Sequence, residues 1–313
     1  MGKSAFVFPG QGAQYVGMGK EITENFSSAK EVFEEASDFL GYDMKKLCFE
    51  GPDEELIKTE NTQPAILTTS IALLKVLENE GISCDMTAGL SLGEYASLVK
   101  SNVIRFADAV RIVRNRGKYM QEAVPQGLGT MAAVLGLGRE ELQKCLMECQ
   151  QYGVVETANY NSPGQIVISG EMKAVQSAVS KAIEFGAKKA VILPVSAPFH
   201  CSLLKPAGDR LKDDLLQYSF NSPEIGVVTN VDAKLLEGKD AVIPSLVKQV
   251  SNSVLWQDSI EFMIKEGVDT FIEIGPGKTL SAFIKKIAKN INMQIETKNI
   301  EDMESFKSLI NSF

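Results

Sequence analysis

The sequence predicts an α/β protein whose main body is interrupted by a smaller inserted subdomain. Three observations carry that prediction. A length of 313 residues is about twice that of a common single domain. Apolar strand runs alternate with amphipathic helical stretches over the first 125 residues or so and again after about residue 200. Between them lies a stretch of about 70 residues with a different order of elements.

Ser4 to Phe8 is a short apolar run that stops at Pro9-Gly10, the pattern of a buried strand entering a tight turn, and Gly10-Gln11-Gly12 follows at its C-terminal end. Apolar residues recur at helical spacing through Ser28 to Leu40 and Thr62 to Glu80, with Pro64 near the start of the second. Further helices are expected over Leu92 to Val99 and Phe106 to Ala123, the latter basic through Arg111, Arg114 and Arg116. From Gly127 the order becomes strand (Thr130 to Leu135), helix (Glu140 to Gln150), then strands Val154 to Tyr160 and Gln165 to Ser169 parted by an Asn-Ser-Pro-Gly turn. A helix, Met172 to Phe185, and a strand, Ala190 to Val195, complete it. This β-α-β-β-α-β succession is that of a ferredoxin-like unit and marks residues 127–197 as the insertion. Residues 1–126 and 198–313 then form the body, where Gly226 to Asn230 and Thr270 to Ile274 read as strands and Leu280 to Ala288 as a helix. A cleft is expected between the two units.

Composition removes several function classes. With 44% hydrophobic and 23% charged residues the chain is an ordinary globular protein, and no segment reads as a signal peptide or membrane span. Five cysteines without a C-x-x-C pair suit a reducing cytoplasm. A net charge of -8 argues against nonspecific nucleic-acid binding. The single histidine, His200, excludes any mechanism or metal site that needs two imidazoles. Gly275-Pro276-Gly277-Lys278-Thr279 suggests a phosphate-binding loop, but Ile272 stands where that pattern requires glycine, so a strand-to-helix turn is the better reading.

Gly89-Leu90-Ser91-Leu92-Gly93 matches the G-x-S-x-G nucleophile elbow, a strained strand-to-helix turn that projects a serine hydroxyl clear of the backbone. The helix that follows directs its N-terminal N–H groups toward an oxyanion formed at the serine. A serine hydroxyl needs a base, and His200, in Ser196-Ala197-Pro198-Phe199-His200-Cys201 where the chain re-enters the body, is the one imidazole available. Standing alone, each residue also has a structural reading: Ser91 as an ordinary turn residue, and His200, for which that reading is the stronger one, as a surface or satisfied core histidine.

Together with Gly10-Gln11-Gly12-Ala13-Gln14, Gly89-Leu90-Ser91-Leu92-Gly93-Glu94-Tyr95, Arg114-Asn115-Arg116-Gly117, Asn161-Ser162-Pro163-Gly164-Gln165, Pro198-Phe199-His200 and Gly275-Pro276-Gly277, these motifs resemble the malonyl-CoA:acyl carrier protein transacylases from about Phe6 to Leu280. The resemblance implies an α/β-hydrolase-like body with a ferredoxin-like insertion. It implies Ser91 as nucleophile, His200 as general base and acid, the backbone N–H groups of Gln11 and Leu92 as oxyanion hole, and the Gln249 carbonyl as the group orienting the histidine. Arg116 would grip the malonate carboxylate, Phe199 would limit pocket volume, and Asn161 would lie near the substrate. Leu90 departs from the histidine that many relatives carry before the nucleophile, which should tune activity and leave the dyad intact.

The implied reaction carries a malonyl group from malonyl-CoA to an acyl carrier protein with ping-pong kinetics and no bound cofactor or metal, in a protein expected to be monomeric. An acidic carrier would call for a basic area near the cleft, for which Lys188, Lys189, Lys285, Lys286 and Lys289 are candidates. A hydrolase on the same scaffold and a silent carrier-docking module are the alternatives, and neither has a use for Arg116 beside Ser91 and His200.

Overall fold

The computed structural model describes residues 2–125, 127–195 and 197–312. Gln126, at the expected domain boundary, and Ser196, at the head of the His200 segment, lie outside the described residues. The strands are β1 (Lys3–Phe8), β2 (Met86–Gly89), β3 (Gly129–Leu135), β4 (Val155–Ser162), β5 (Gln165–Glu171), β6 (Lys189–Ile192), β7 (Gly226–Val228), β8 (Val268–Ile274) and β9 (Glu296–Ile300). They form a five-stranded parallel sheet in the order β7-β2-β1-β8-β9 and a separate four-stranded antiparallel sheet in the order β4-β5-β3-β6.

Both faces of the parallel sheet are covered, as the near-continuous apolar run of β1 requires. Phe6 and Phe8 pack into one core and the alternate residues Ala5 and Val7 into the other. The helices Thr59–Asn79 and Phe106–Glu122 supply much of the first core, Trp256–Lys265 and Thr279–Asn290 the second. On the antiparallel sheet, Ala132, Val134, Val155, Ile166 and Ile168 form a third core with the helices Arg139–Cys149 and Met172–Glu184. Met131, Ala158 and Val167, on the opposite face, join the core of the larger body.

The two sheets are fastened together. Val254 donates to the Ala158 carbonyl (2.8 Å) and accepts from the Tyr160 N–H (2.9 Å), while Glu156 accepts from the N–H and hydroxyl of Ser202 at 2.8 and 2.6 Å. Arg139 pairs with both oxygens of Asp258 at 2.9 and 2.8 Å, the planar two-bond geometry that guanidinium favours.

Several local expectations change. The turn between β4 and β5 is only Pro163-Gly164, because Ser162 pairs directly with Gln165 and Gly164 supplies the positive φ. Asn161 therefore sits in a strand. β6 ends at Ile192, so Leu193, Pro194 and Val195 leave the sheet and line a cleft. β7 ends at Val228, two residues earlier than expected, which frees Asn230 for the site described below. Arg111 and Arg114 donate to the Phe39 and Leu40 carbonyls at 3.3 and 3.0 Å and cover Phe39 and Tyr42, closing the C-terminus of the helix Ser27–Leu40, where a solvated basic face of their own helix is the simpler expectation. No helix among the described residues is long and apolar enough to cross a membrane.

Candidate active site

Ser91 lies in the turn between β2 and the helix Gly93–Lys100, at the C-terminal edge of the parallel sheet, with φ of 52°. A non-glycine residue in this region is strained, and its surroundings hold it there. The flanking glycines are demanded by contact. A Cβ on Gly89 would lie 1.9 Å from the Gly93 carbonyl carbon, one on Gly93 would lie 2.2 Å from the Phe8 oxygen, and one on Gly10 would lie 2.5 Å from the Leu90 oxygen. Two backbone segments, residues 8–10 and 89–93, thus pack at distances only glycine allows, bringing Gln11 beside the serine turn. The N–H groups of Gln11 and Leu92 donate to no protein acceptor among the described residues, and both residues line the cleft.

His200 Nε2 is 2.7 Å from Ser91 Oγ, and Nδ1 is 2.9 Å from the Gln249 carbonyl oxygen. A carbonyl can only accept, so Nδ1 carries the proton and the lone pair of Nε2 faces the serine. The ring is 4% exposed. Burial, and then the positive charge of Arg116, push its pKa down to about 4 against the opposing hydrogen bonds to the Gln249 and Asn252 backbones. The imidazole is therefore neutral at physiological pH, the form a general base needs.

Arg116, 1% exposed, reaches the same serine from the helix Phe106–Glu122. Its Nη1 donates to Gln63 Oε1 (2.7 Å), and its Nη2 to Ser91 Oγ (3.1 Å) and Gln249 Oε1 (3.0 Å). Nε is buried without a protein partner among the described residues. A buried cation that lines a cleft and keeps an unpaired N–H is a ready receptor for an anionic group.

A second ring of side chains fixes this geometry, and of its residues the sequence singles out only Gln249, for its carbonyl and not its side chain. Asn230 accepts from the Ser91 N–H (2.6 Å) and donates to the Gly89 carbonyl (2.7 Å), clipping the elbow from both ends. The Gln249 side chain donates to the Ser91 carbonyl (3.0 Å) and to Glu94 Oε2 (2.8 Å), so one residue touches the elbow, the base and the arginine. Glu94 is 1% exposed, its pKa raised to about 7 by burial against the pull of Asn230, Gln249 and Arg116. As the first acid of a helix it reads like an ordinary dipole partner, and Gln63 and Asn230 carry no local signal at all.

The cleft, about 1160 Å³, is lined by Gln11, Ser91, Leu92, Arg116, Phe199 and His200 from the body, with Met131, Asn159, Asn161 and Val167 from the antiparallel sheet. Leu90 and Phe283 add apolar surface. Asn161 Oδ1 is buried and unpartnered. The lysines along the lining are Lys58 and Lys118; Lys188, Lys189, Lys285, Lys286 and Lys289 lie off it. The glycine-rich turn at residues 275–277 holds no space for phosphate at the next helix, because the buried Glu273 carboxylate already accepts from the N–H groups of Leu280 and Ser281 at 3.0 and 2.7 Å.

A half-buried serine at the sheet edge, a neutral histidine held by a carbonyl and two uncommitted N–H donors define a serine acyl-transfer site. The acyl transferase domain model matches residues 5–310. The chain is 48% identical over 292 residues to the malonyl CoA-acyl carrier protein transacylase of Escherichia coli (strain K12), covering 93% of this chain and 94% of that one. A crystal structure of malonyl CoA-acyl carrier protein transacylase from Clostridium perfringens superimposes with a TM-score of 0.95 at 49% identity, covering 99% and 96% of the two chains. A type II PKS acyl-carrier protein in complex with its malonyl-transacylase contains a chain that superimposes with a TM-score of 0.96 at 41% identity, covering 99% and 100%. The chain belongs to the acyl transferase domain family, in its malonyl CoA-acyl carrier protein transacylase branch.

Proposed function

We propose that this enzyme transfers a malonyl group from malonyl-CoA to the phosphopantetheine thiol of an acyl carrier protein through an ester on Ser91, supplying fatty-acid or polyketide chain extension. The observation that carries the proposal is the meeting of His200 Nε2 and Arg116 Nη2 on one oxygen, Ser91 Oγ, at 2.7 and 3.1 Å. Nucleophile, base and carboxylate receptor are thereby within one acyl group of each other.

In the first half-reaction Ser91 Oγ attacks the thioester carbon while His200 Nε2 takes the hydroxyl proton. The oxyanion is held by the N–H groups of Gln11 and Leu92. The C–S bond then breaks, and the CoA sulfur leaves with the proton from His200. In the second half-reaction the carrier thiol gives its proton to His200 and attacks the ester, and Ser91 Oγ recovers that proton as it leaves. Gln249 holds His200 in the productive tautomer throughout. Arg116 pairs with the malonate carboxylate through its vacant Nε–H and through the Nη2 N–H that rests on Ser91 Oγ in the free site, a contact an acetyl group cannot make. Phe199, 7% exposed in the cleft, limits room beside the α-carbon, and Asn161 offers Oδ1 to a donor on the substrate arm.

The strand order and separate core of residues 127–197 support a ferredoxin-like subdomain inserted into an α/β-hydrolase-like body of residues 1–126 and 198–313. The complex of an acyl-carrier protein with its malonyl-transacylase supports a carrier as second substrate. A cytoplasmic monomer without cofactor completes the reading.

Intact mass after mixing with malonyl-CoA, then with holo carrier protein, tests it. A malonyl adduct absent from Ser91→Ala and passed to the carrier is expected. An adduct released to water would instead mark a hydrolase, and no adduct would overturn the acyltransferase reading.

A further inference from the structure

Glu94 is a buried carboxylate that the reaction above does not use, yet only the Gln249 side chain separates it from Arg116. Both Gln249 Nε2 and the Asn230 N–H donate to the same carboxylate oxygen, Oε2, at 2.8 and 3.0 Å. The other end of the Gln249 amide accepts from Arg116 Nη2 at 3.0 Å. Glu94 is therefore the anionic end of a chain that runs through one amide to the guanidinium expected to receive malonate. We propose that Glu94 is a positioning residue that shares Arg116 with the substrate carboxylate, so that malonyl binding is accompanied by uptake of a proton on Glu94.

The argument is electrostatic. In the free site one buried cation, Arg116, faces one buried carboxylate through the Gln249 amide. When the malonate carboxylate pairs with Arg116, two anions compete for one cation in a poorly solvated place, and protonating one relieves the competition. Malonate is held by a direct guanidinium pair, whereas Glu94 is held by neutral amide donors, so Glu94 takes the proton. Its starting pKa of about 7 makes that change accessible near neutrality. The charged and titratable groups around it are Arg116 from the helix Phe106–Glu122, Tyr95 on its own helix, and Asp232 from the segment after β7. Asp232 is paired with Lys248 at 2.6 Å, and the pKa of His200 is too low for it to share the transition. Such sharing serves a transferase: the arginine recognises malonate yet releases the malonyl group to the carrier.

Glu94→Gln separates charge from architecture, because a glutamine oxygen can still accept from Asn230 and Gln249. By linkage, the wild-type affinity for malonyl-CoA should strengthen as pH falls from 8 to 6, by up to about tenfold for each pK unit by which malonate raises Glu94. The Glu94→Gln enzyme should bind with a low KM that does not change over this range. Acetyl-CoA, without the carboxylate, should show neither effect. Should the variant fail to fold, titration calorimetry of Ser91→Ala with malonyl-CoA in buffers of different ionisation enthalpy counts the proton directly, with acetyl-CoA correcting for the CoA phosphates. Uptake of a fraction of a proton at pH 7.5 with malonyl-CoA only is expected. Equal proton counts for the two thioesters, or a Glu94→Gln KM that keeps the wild-type pH slope, would overturn the proposal. The inference rests on malonyl transfer at Ser91, but a malonyl adduct with no proton uptake would sink it alone, whereas absence of the adduct would sink both.

Discussion

Replacing Arg116 with methionine keeps most of the side-chain length and removes the guanidinium. The substrate then loses two charge-assisted hydrogen bonds to its carboxylate, each about 1.5–3 kcal/mol, or about 3–6 kcal/mol together. At about 1.4 kcal/mol per factor of ten this predicts a fall of roughly 10²–10⁴ in kcat/KM for malonyl-CoA. A structural effect accompanies it, since Gln63 Oε1 and Gln249 Oε1 lose their donor. Stranding such buried groups costs about 1–3 kcal/mol each, which lowers the melting temperature and can loosen the His200 carbonyl anchor. Acetyl-CoA separates the two effects, because it uses the same serine, base and oxyanion donors and lacks the carboxylate. The assay is the time course of acyl-enzyme formation by intact mass, run with both thioesters on wild type and Arg116→Met. The ratio of malonyl to acetyl rates cancels any change in folded fraction or dyad geometry. That ratio should collapse by at least about a hundredfold. If both rates fell by the same factor, Arg116 would be supporting the elbow and not recognising malonate.

Other outcomes follow from the same geometry. The His200 pKa is depressed from 6.5 to about 4, so the neutral base persists above pH 4 and is lost as pH falls through it; modification of Ser91 by a small uncharged sulfonyl fluoride should have its midpoint near pH 4, and a midpoint near 6.5 would contradict the buried, arginine-flanked imidazole. Gly93→Ala places a methyl 2.2 Å from the Phe8 carbonyl oxygen, a backbone atom with little freedom to yield; it should lower stability by at least about 2 kcal/mol in denaturant titration and reduce acylation, and an unchanged midpoint would show that the elbow is looser than it looks. Phe199→Ala opens space beside the substrate α-carbon, so the preference for malonyl-CoA over methylmalonyl-CoA should drop by about 10–100-fold, the worth of one methyl group in a pocket; an unchanged ratio would move the volume limit elsewhere.

What could be read from the sequence and what could not divides along a physical line. The elbow was legible because its residue pattern is compact: Gly89 is dictated by a backbone contact with Gly93 within one turn, Gly93 by the close approach of the strand end at Phe8, and a helix must follow to supply the oxyanion donors. The alternation Ala5, Phe6, Val7, Phe8 was legible as a doubly covered strand because side-chain direction has a period of two. His200 was legible as the sole imidazole and through the Pro198-Phe199-His200 motif, and the roles of Arg116, Gln249 and Gln11 came from family likeness. Asn230, Gln63 and Glu94 had no comparable signal. Asn230 reaches Ser91 across 139 positions of chain, and its reach depends on β7 ending at Val228, two residues before the strand bound expected from the sequence.

These three residues share a property that explains the omission. Each satisfies buried polar groups of another functional residue, so its identity is determined by the partner's unpaired donors and acceptors, which exist only once the chain has folded. Glu94 shows this most clearly: placed in the first turn of a helix, a glutamate is ordinary, and only burial beside Gln249 and Arg116 turns it into a charge that the active site must balance. The chemistry written in the motifs is thus the part that touches substrate. The part that sets how tightly the substrate's charge is held lies one hydrogen bond further out, in residue types whose local sequence context reads as commonplace.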